Sequence, residues 1–149
     1  MTVRLSTQNR TALAQAFATT FANGVIEIYS GAQPASSDAA VTGTLLGTVT
    51  LSSGAFTAGS ATNGLTFATA ANGVVSKSGV WSFNGSAAGT AGWFRLKGNG
   101  VDGGTLSTSL PRLDGSISTS GADLNLSNIT IAVGSPNTID TFNWTVPAQ

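Results

Sequence analysis

The residues in this sequence best suited to chemistry are four carboxylates, Glu27, Asp102, Asp114 and Asp123. Two acids, one protonated and one ionised, are what glycoside hydrolysis uses. Asp102 and Asp114 each precede a glycine, and a short side chain that accepts a backbone N–H in a turn is the ordinary reason for such a pair. Catalysis also needs groups that converge on one reacting atom, and nothing in the spacing supplies them. The chain is therefore read as non-enzymatic, with no catalytic residue.

Other chemistry is weaker still. The stretch "DGSISTSGADLN" offers Asp114, Ser116, Asp123 and Asn125 as oxygen ligands for calcium. It lacks the alternating ligands and terminal glutamate of an EF-hand loop, and two carboxylates are few for so hard a cation. "GNGVDGG" and "GSAAGTAG" are glycine-rich but have no Lys-Ser/Thr ending and do not lead from a strand into a helix, as a phosphate-cradling loop would. No metal and no cofactor are expected. Trp81, Trp93, Trp144 and Tyr29 could line a carbohydrate or partner surface. Since the chain has few other large side chains to fill a core, most of them are expected inside.

Composition narrows the function further. At 149 residues the chain fits one domain. Charged residues are only 8%, against about 25% in typical soluble domains, so the surface must be mostly Ser, Thr, Asn and Gly. Six basic and six acidic residues cancel, leaving no field to attract nucleic acid or an anionic membrane. Without histidine, no side chain has an ordinary pKa near neutrality. Without cysteine there are no disulfides, which suits folding in a reducing cytoplasm. No signal-like apolar run stands at the N-terminus, and no stretch reaches the ~20 apolar residues of a membrane-spanning helix.

The elements that must position these residues follow from periodicity. After an arm over residues 1–5, a helix is expected over 6–23, capped by Ser6 or Thr7, with Leu13, Ala16, Phe17 and Phe21 as its buried stripe and Asn23-Gly24 as its stop. From Val25 the vocabulary becomes β-branched and aromatic, with glycine at sandwich-like intervals. Strands are expected over 25–29, 45–51, 55–57, 65–69, 80–83, 93–97, 115–118, 128–133 and 139–146. The sum is a mainly β chain: a single β-sandwich or jelly-roll-like domain over 25–147 with one N-terminal α-helix.

Alternation also assigns faces. In the closing segment Phe142, Trp144 and Val146 share one side, expected to be core. In "GWFRLK", Trp93, Arg95 and Lys97 lie opposite Phe94 and Leu96, which puts Trp93 with the charges on the outer face. Trp93, Arg95 and Lys97 are thus candidate partner contacts, as are Val3, Arg4 and Leu5 of the arm, which precede the helix with no partner of their own. Residues 30–46 read as a long connection, and 98–104 as a mobile glycine-rich tip.

The segment "LSTQNRTALAQAFATTFANGVIEIYSGAQPASSDAAVTGTLLGTVTLS", together with "GWFRL", "DGSISTSGADLNLSNITIAVG" and "IDTFNWTVPA", resembles a family of small structural proteins of tailed bacteriophages and prophages. The resemblance spans nearly the whole chain, except that Asn72–Ala91 and "GNGVDGGTLSTSLPRL" are longer and richer in glycine. It implies a virion structural protein, foremost a capsid decoration or minor capsid protein. The partners it implies are the major capsid protein and further copies of the chain in a symmetric homo-oligomer, a dimer or trimer. It also implies assembly in the bacterial cytoplasm and a final position on the capsid exterior. The alternative is a tail or fibre-tip domain that binds a host-surface glycan. Sandwich folds serve both roles.

Overall fold

A computed structural model describes residues 3–148, so the first two residues of the expected arm lie outside the described part. Helix α1 runs Thr7–Phe21, and Ser6 caps it by accepting the Asn9 N–H on its hydroxyl at 3.2 Å. Asn23 supplies the left-handed residue after the helix, at φ 60°. Gly24 is required for a different reason: a Cβ there would collide with the carbonyl oxygen of Lys97. The buried stripe is Ala14, Phe17, Ala18 and Phe21. It is rotated from the expected one, leaving Leu13 49% exposed and Ala16 outward. Phe17 and Phe21 are common to both stripes, and the Phe17 ring stacks on Trp144 with centroids 4.4 Å apart and planes 6° from parallel.

The strands are β1 (Val25–Ser30), β2 (Leu45–Leu51), β3 (Thr66–Phe67), β4 (Val74–Ser78), β5 (Trp81–Asn84), β6 (Gly89–Lys97), β7 (Arg112–Ser118), β8 (Leu124–Asn125), β9 (Thr130–Ile131), β10 (Pro136–Ile139) and β11 (Asn143–Thr145). The large sheet has the order β10-β5-β2-β1-β6-β7-β8, with β9 paired to the start of β6; the small one is β11-β4-β3. With α1 packed on the small sheet, this is the expected mainly β, sandwich-like fold with one N-terminal helix.

Register explains why the core sits between the sheets. Ile26 and Ile28 of β1 lie opposite Leu96 and Phe94 of β6, and all four are buried. With Val49, Trp81 and Phe83 they form the inner face of the large sheet. Phe67, Val75, Phe142 and Val146 meet them from the other side. Aromatic edges interlock there, with Phe67 T-shaped on Trp81 at 5.2 Å and Phe142 tilted on Trp81 at 5.3 Å.

Several expectations are corrected. Residues 55–57 form no strand, while β4 and β8 arise where none was expected. The closing segment is not one strand: it breaks at Asp140-Thr141, so that Ile139 ends β10 in the large sheet and Trp144 lies in the small one. Phe142 and Val146 are buried as expected, but Trp144 is only half-buried, one face on Phe17 and the rest toward solvent. Leu5 is also not free, because its N–H donates to the Ala148 carbonyl at 3.1 Å and its side chain packs against the core. Val3 and Arg4 are exposed.

The two tryptophans should therefore respond differently to truncation. Trp81→Ala, at a fully buried position, should cost about 3–5 kcal/mol, and Trp144→Ala about 2 kcal/mol, since only part of its surface is withdrawn from water. Urea unfolding of the two variants checks the order; equal losses would mean that the closing segment is packed more deeply than described.

Candidate functional site

The outer face of the large sheet carries the chain's concentrated polar chemistry. The register that turns Ile26, Ile28, Phe94 and Leu96 inward places Val25, Glu27 and Tyr29 of β1 beside Lys97, Arg95 and Trp93 of β6 on the opposite side. On β7 the neighbours are Arg112, Asp114 and Ser116. Six charged side chains, counting Asp102 from the loop above, are thereby gathered on one face and form three ion pairs. They are three of the chain's six basic and three of its six acidic residues.

Each pair has its own geometry. Arg95 forks onto Asp114, Nε and Nη2 each donating to a separate carboxylate oxygen at 2.7 Å, with both side chains almost fully buried. Lys97 Nζ lies 2.8 Å from Glu27 Oε2 and donates to the Asp102 carbonyl at 2.7 Å. The Tyr29 hydroxyl donates to the same Glu27 oxygen at 2.6 Å. Arg112 forks onto Asp102, with Nε donating to Oδ2 at 2.7 Å and Nη2 to Oδ1. The Gly104 N–H donates to Asp102 at 2.8 Å, so Asp102 fills the turn role expected of it while also holding an arginine. Asp114, expected in a turn, is instead a strand residue.

The layer is closed by loops. Arg112 also donates to the carbonyls of Thr105, Ser37 and Asp38. The Val41 N–H donates to the Gly104 carbonyl, and the Ser107 N–H to that of Asp38. The connections 31–44 and 98–111 are thus laced to each other and to Arg112. This corrects two expectations. The 98–104 tip is anchored through Asp102 rather than free. Trp93, Arg95 and Lys97 share a face, as alternation requires, but the loops cover that face, leaving them 0%, 0% and 5% exposed. Trp93 stacks on Tyr29 at 4.6 Å, and the Arg95 guanidinium lies 5.5 Å from its ring centroid. Trp93 Nε1 and Arg95 Nη1 are buried without a hydrogen-bond partner among the described residues. Trp93 and Arg95 are thus fully withdrawn from the surface, Lys97 reaches it only at the edge of a cleft, and Val3 and Arg4 are exposed.

The environment shifts several groups. Burial alone would raise the pKa of Asp102, but the Arg112 fork, the Gly104 N–H and the Lys97 charge outweigh it and hold the carboxyl below its ordinary value. The hydrogen bonds that Arg112 donates to the Asp102 carboxylate push Arg112 up. Burial, followed by the hydrogen bond to Glu27, pushes Tyr29 well above the ordinary range for a phenol. Outside the layer, the backbone N–H and hydroxyl of Ser116 hold Asp123 low. Asn125 accepts the Ala122 N–H, so Asp114, Ser116, Asp123 and Asn125 are engaged with the protein's own donors rather than arranged as a ligand set. Among the described residues no three acids or other metal ligands cluster, and no helix is long and apolar enough to cross a membrane.

Where the loops stop short, the outer face opens into a cleft of about 540 Å³. Its floor is Val25, Glu27, Thr48, Thr50 and Asn84, and its walls are residues 53–58 on one side and 97–102 on the other. The walls are tied at one point, where the Gly59 N–H donates to the Asn99 carbonyl at 2.7 Å. Sequence reasoning missed Thr48, Thr50, Phe56 and Asn84. The signal for the threonines was present, since they alternate with Val49 and Leu51. Phe56 lies in the segment 55–57, whose expected strand is absent. No family model matches the chain, and no curated protein or solved structure does either.

Two outcomes follow. Asp114→Ala leaves the Arg95 charge buried without its partner and should cost about 3–5 kcal/mol, whereas the double variant Arg95→Met/Asp114→Leu should recover most of that loss. Chemical denaturation of both checks it, and failure of the double variant to recover would mean that the pair does more than satisfy itself. The second outcome concerns pH. Asp102 and Asp123 titrate lower when folded than the about 3.9 of an unfolded Asp, so each contributes stability that is complete above that value and lost as pH falls through the folded pKa. Tyr29 is raised, so its contribution is complete below about 10 and lost as pH climbs toward the folded value. The melting temperature should be flat between about pH 5.5 and 8 and fall below about 4. Asp102→Asn should make the acid fall shallower, and an unchanged acid limb would remove Asp102 from this account.

Proposed function

We propose that this chain is a non-enzymatic bacteriophage virion structural protein, a capsid decoration or minor capsid protein that binds and stabilises the major capsid shell from outside. The family resemblance rests on the motifs quoted above. The physical observation that carries the reading is the burial of half the charges beneath loops. It leaves a surface of hydroxyls, amides and small side chains with scattered apolar tips at Val3, Val80, Val101, Leu106 and Val133. A surface of this kind makes contacts that salt does little to screen. Such contacts can each be modest, because a symmetric oligomer engaging several shell subunits gains avidity by repetition.

The arm is the natural attachment element. Val3 is 74% exposed and Arg4 also reaches solvent, while Leu5 belongs to the fold. Fixing such a segment costs about 1–2 kcal/mol per residue in backbone entropy, which burial of Val3 and pairing of Arg4 on the shell would offset. Deleting residues 2–4 should leave the melting curve unchanged while lowering occupancy on purified heads. Heads that retain the truncated protein at full occupancy through heat and high salt would overturn the arm as the attachment element, and absence of the intact protein from heads would overturn the capsid reading.

A further inference from the structure

We infer that the cleft between residues 53–58 and 97–102 is a binding site for a neutral saccharide or similar polyol. The inference stands on the cleft itself and is independent of where in a particle the chain is placed. Its volume of about 540 Å³ lies in the range of roughly 300–1,000 Å³ typical of small-molecule sites.

The floor is pre-organised. Glu27 Oε2 is taken by the Tyr29 hydroxyl and Lys97, which fixes the carboxylate plane. Its other oxygen, Oε1, accepts nothing from the protein among the described residues, and the side chain keeps 16% exposure toward the cleft that it lines. Lys97 is held in turn by the Asp102 carbonyl, and Asp102 by Arg112. A rigid acceptor therefore sits at the base of the cleft, supported by four further residues. Thr48 and Asn84 flank it on the floor, adding a hydroxyl and an amide that each donate and accept. Neither side chain is spent on another described residue.

Charge selects the ligand class. Glu27 and Lys97, 2.8 Å apart, neutralise one another, and Arg112 neutralises Asp102. An anion approaching Lys97 meets Glu27, and a cation approaching Glu27 meets Lys97. A neutral hydroxyl avoids both penalties, because it donates to the carboxylate and accepts from an amide or ammonium. The walls complete the match, since Phe56 and Val101 offer apolar surface to the C–H face of a sugar ring. A ligand with hydroxyls on its edge and carbon on its face fits this arrangement.

The test is an amide-shift titration of the full isotope-labelled chain with glucose, galactose, mannose, N-acetylglucosamine, lactose and cellobiose. Glucuronic acid, sialic acid and glucosamine serve as charged counterparts. At least one neutral sugar should produce saturable shifts at Thr48, Thr50, Gly54, Asn84 and Gly98, and the charged sugars should bind more weakly. Glu27→Gln, Asn84→Ala and Phe56→Ala should each weaken binding about tenfold, the scale of one good hydrogen bond or apolar contact. Asn84→Ala and Phe56→Ala lie outside the ion-pair network and keep the test decisive if Glu27→Gln perturbs folding. Absence of shifts in the cleft with every neutral sugar, tighter binding of a charged sugar, or parental affinity in the Asn84 and Phe56 variants would each overturn the inference.

Discussion

Opposed charges largely withdrawn from water must be paired across strands or not be charged at all, and this requirement disciplines the large sheet. Arg95 on β6 stands directly opposite Asp114 on β7 and Glu27 on β1. Glu27 reaches Lys97, two residues along on the same face. Sliding β1 by one residue against β6 would drive Glu27 into the core and turn Ile26 and Ile28 outward, and the same slip of β7 would turn Asp114 and Arg112 inward. Buried ion pairs add little net stability over well-packed apolar residues. Their effect here is on which arrangement forms: they make every alternative register of the central strands expensive.

The same layer organises what lies above it. Asp102 is the junction, because its carboxylate secures Arg112 and the Gly104 turn while its carbonyl secures Lys97. Through Arg112 the loop carrying Asp102 is joined to the carbonyls of Ser37 and Asp38. The long connections are thus held by a few charged groups rather than by a second apolar core. The cleft inherits its shape from this: one wall is the loop fixed by Asp102, and the base is the Glu27–Lys97 pair that the loop supports.

Much of this was legible in the sequence, and the limits have physical causes. Alternation in "VIEIYS" and "GWFRLK" gave the inner face correctly, because period 2 reports directly which side chains lie together. It could not report that loops cover the other side, since a covered polar face and a solvated one have the same pattern. Trp93, Arg95 and Lys97 were therefore read as exposed contacts, although each had a cross-strand partner that only topology reveals. The helix stripe was half right: Phe17 and Phe21 are buried as expected, but small Ala14 and Ala18 lie beside them where the larger Leu13 was expected, because hydrophobicity alone favours the larger side chain while close packing of α1 on the sheet admits the smaller. The break at Asp140-Thr141 did have a signal, because two polar residues in a row shift the phase of the alternation between Ile139 and Phe142. Strands as short as β8 and β9 leave almost no periodic signal at all.

The way α1 is held has a consequence for the birth of the molecule on the ribosome. The Arg10 guanidinium donates to the Val146 carbonyl, 136 residues further on, and Phe17 rests on the ring of Trp144. An isolated helix of 15 residues is marginal in water, so this first element is made long before anything exists to hold it. During translation at about 5–20 residues per second, the segment spends several seconds or more with Phe17 and Phe21 uncovered. Its stretch of alanines and threonines carries only those two aromatics, so little apolar surface waits for the closing segment on which the helix rests.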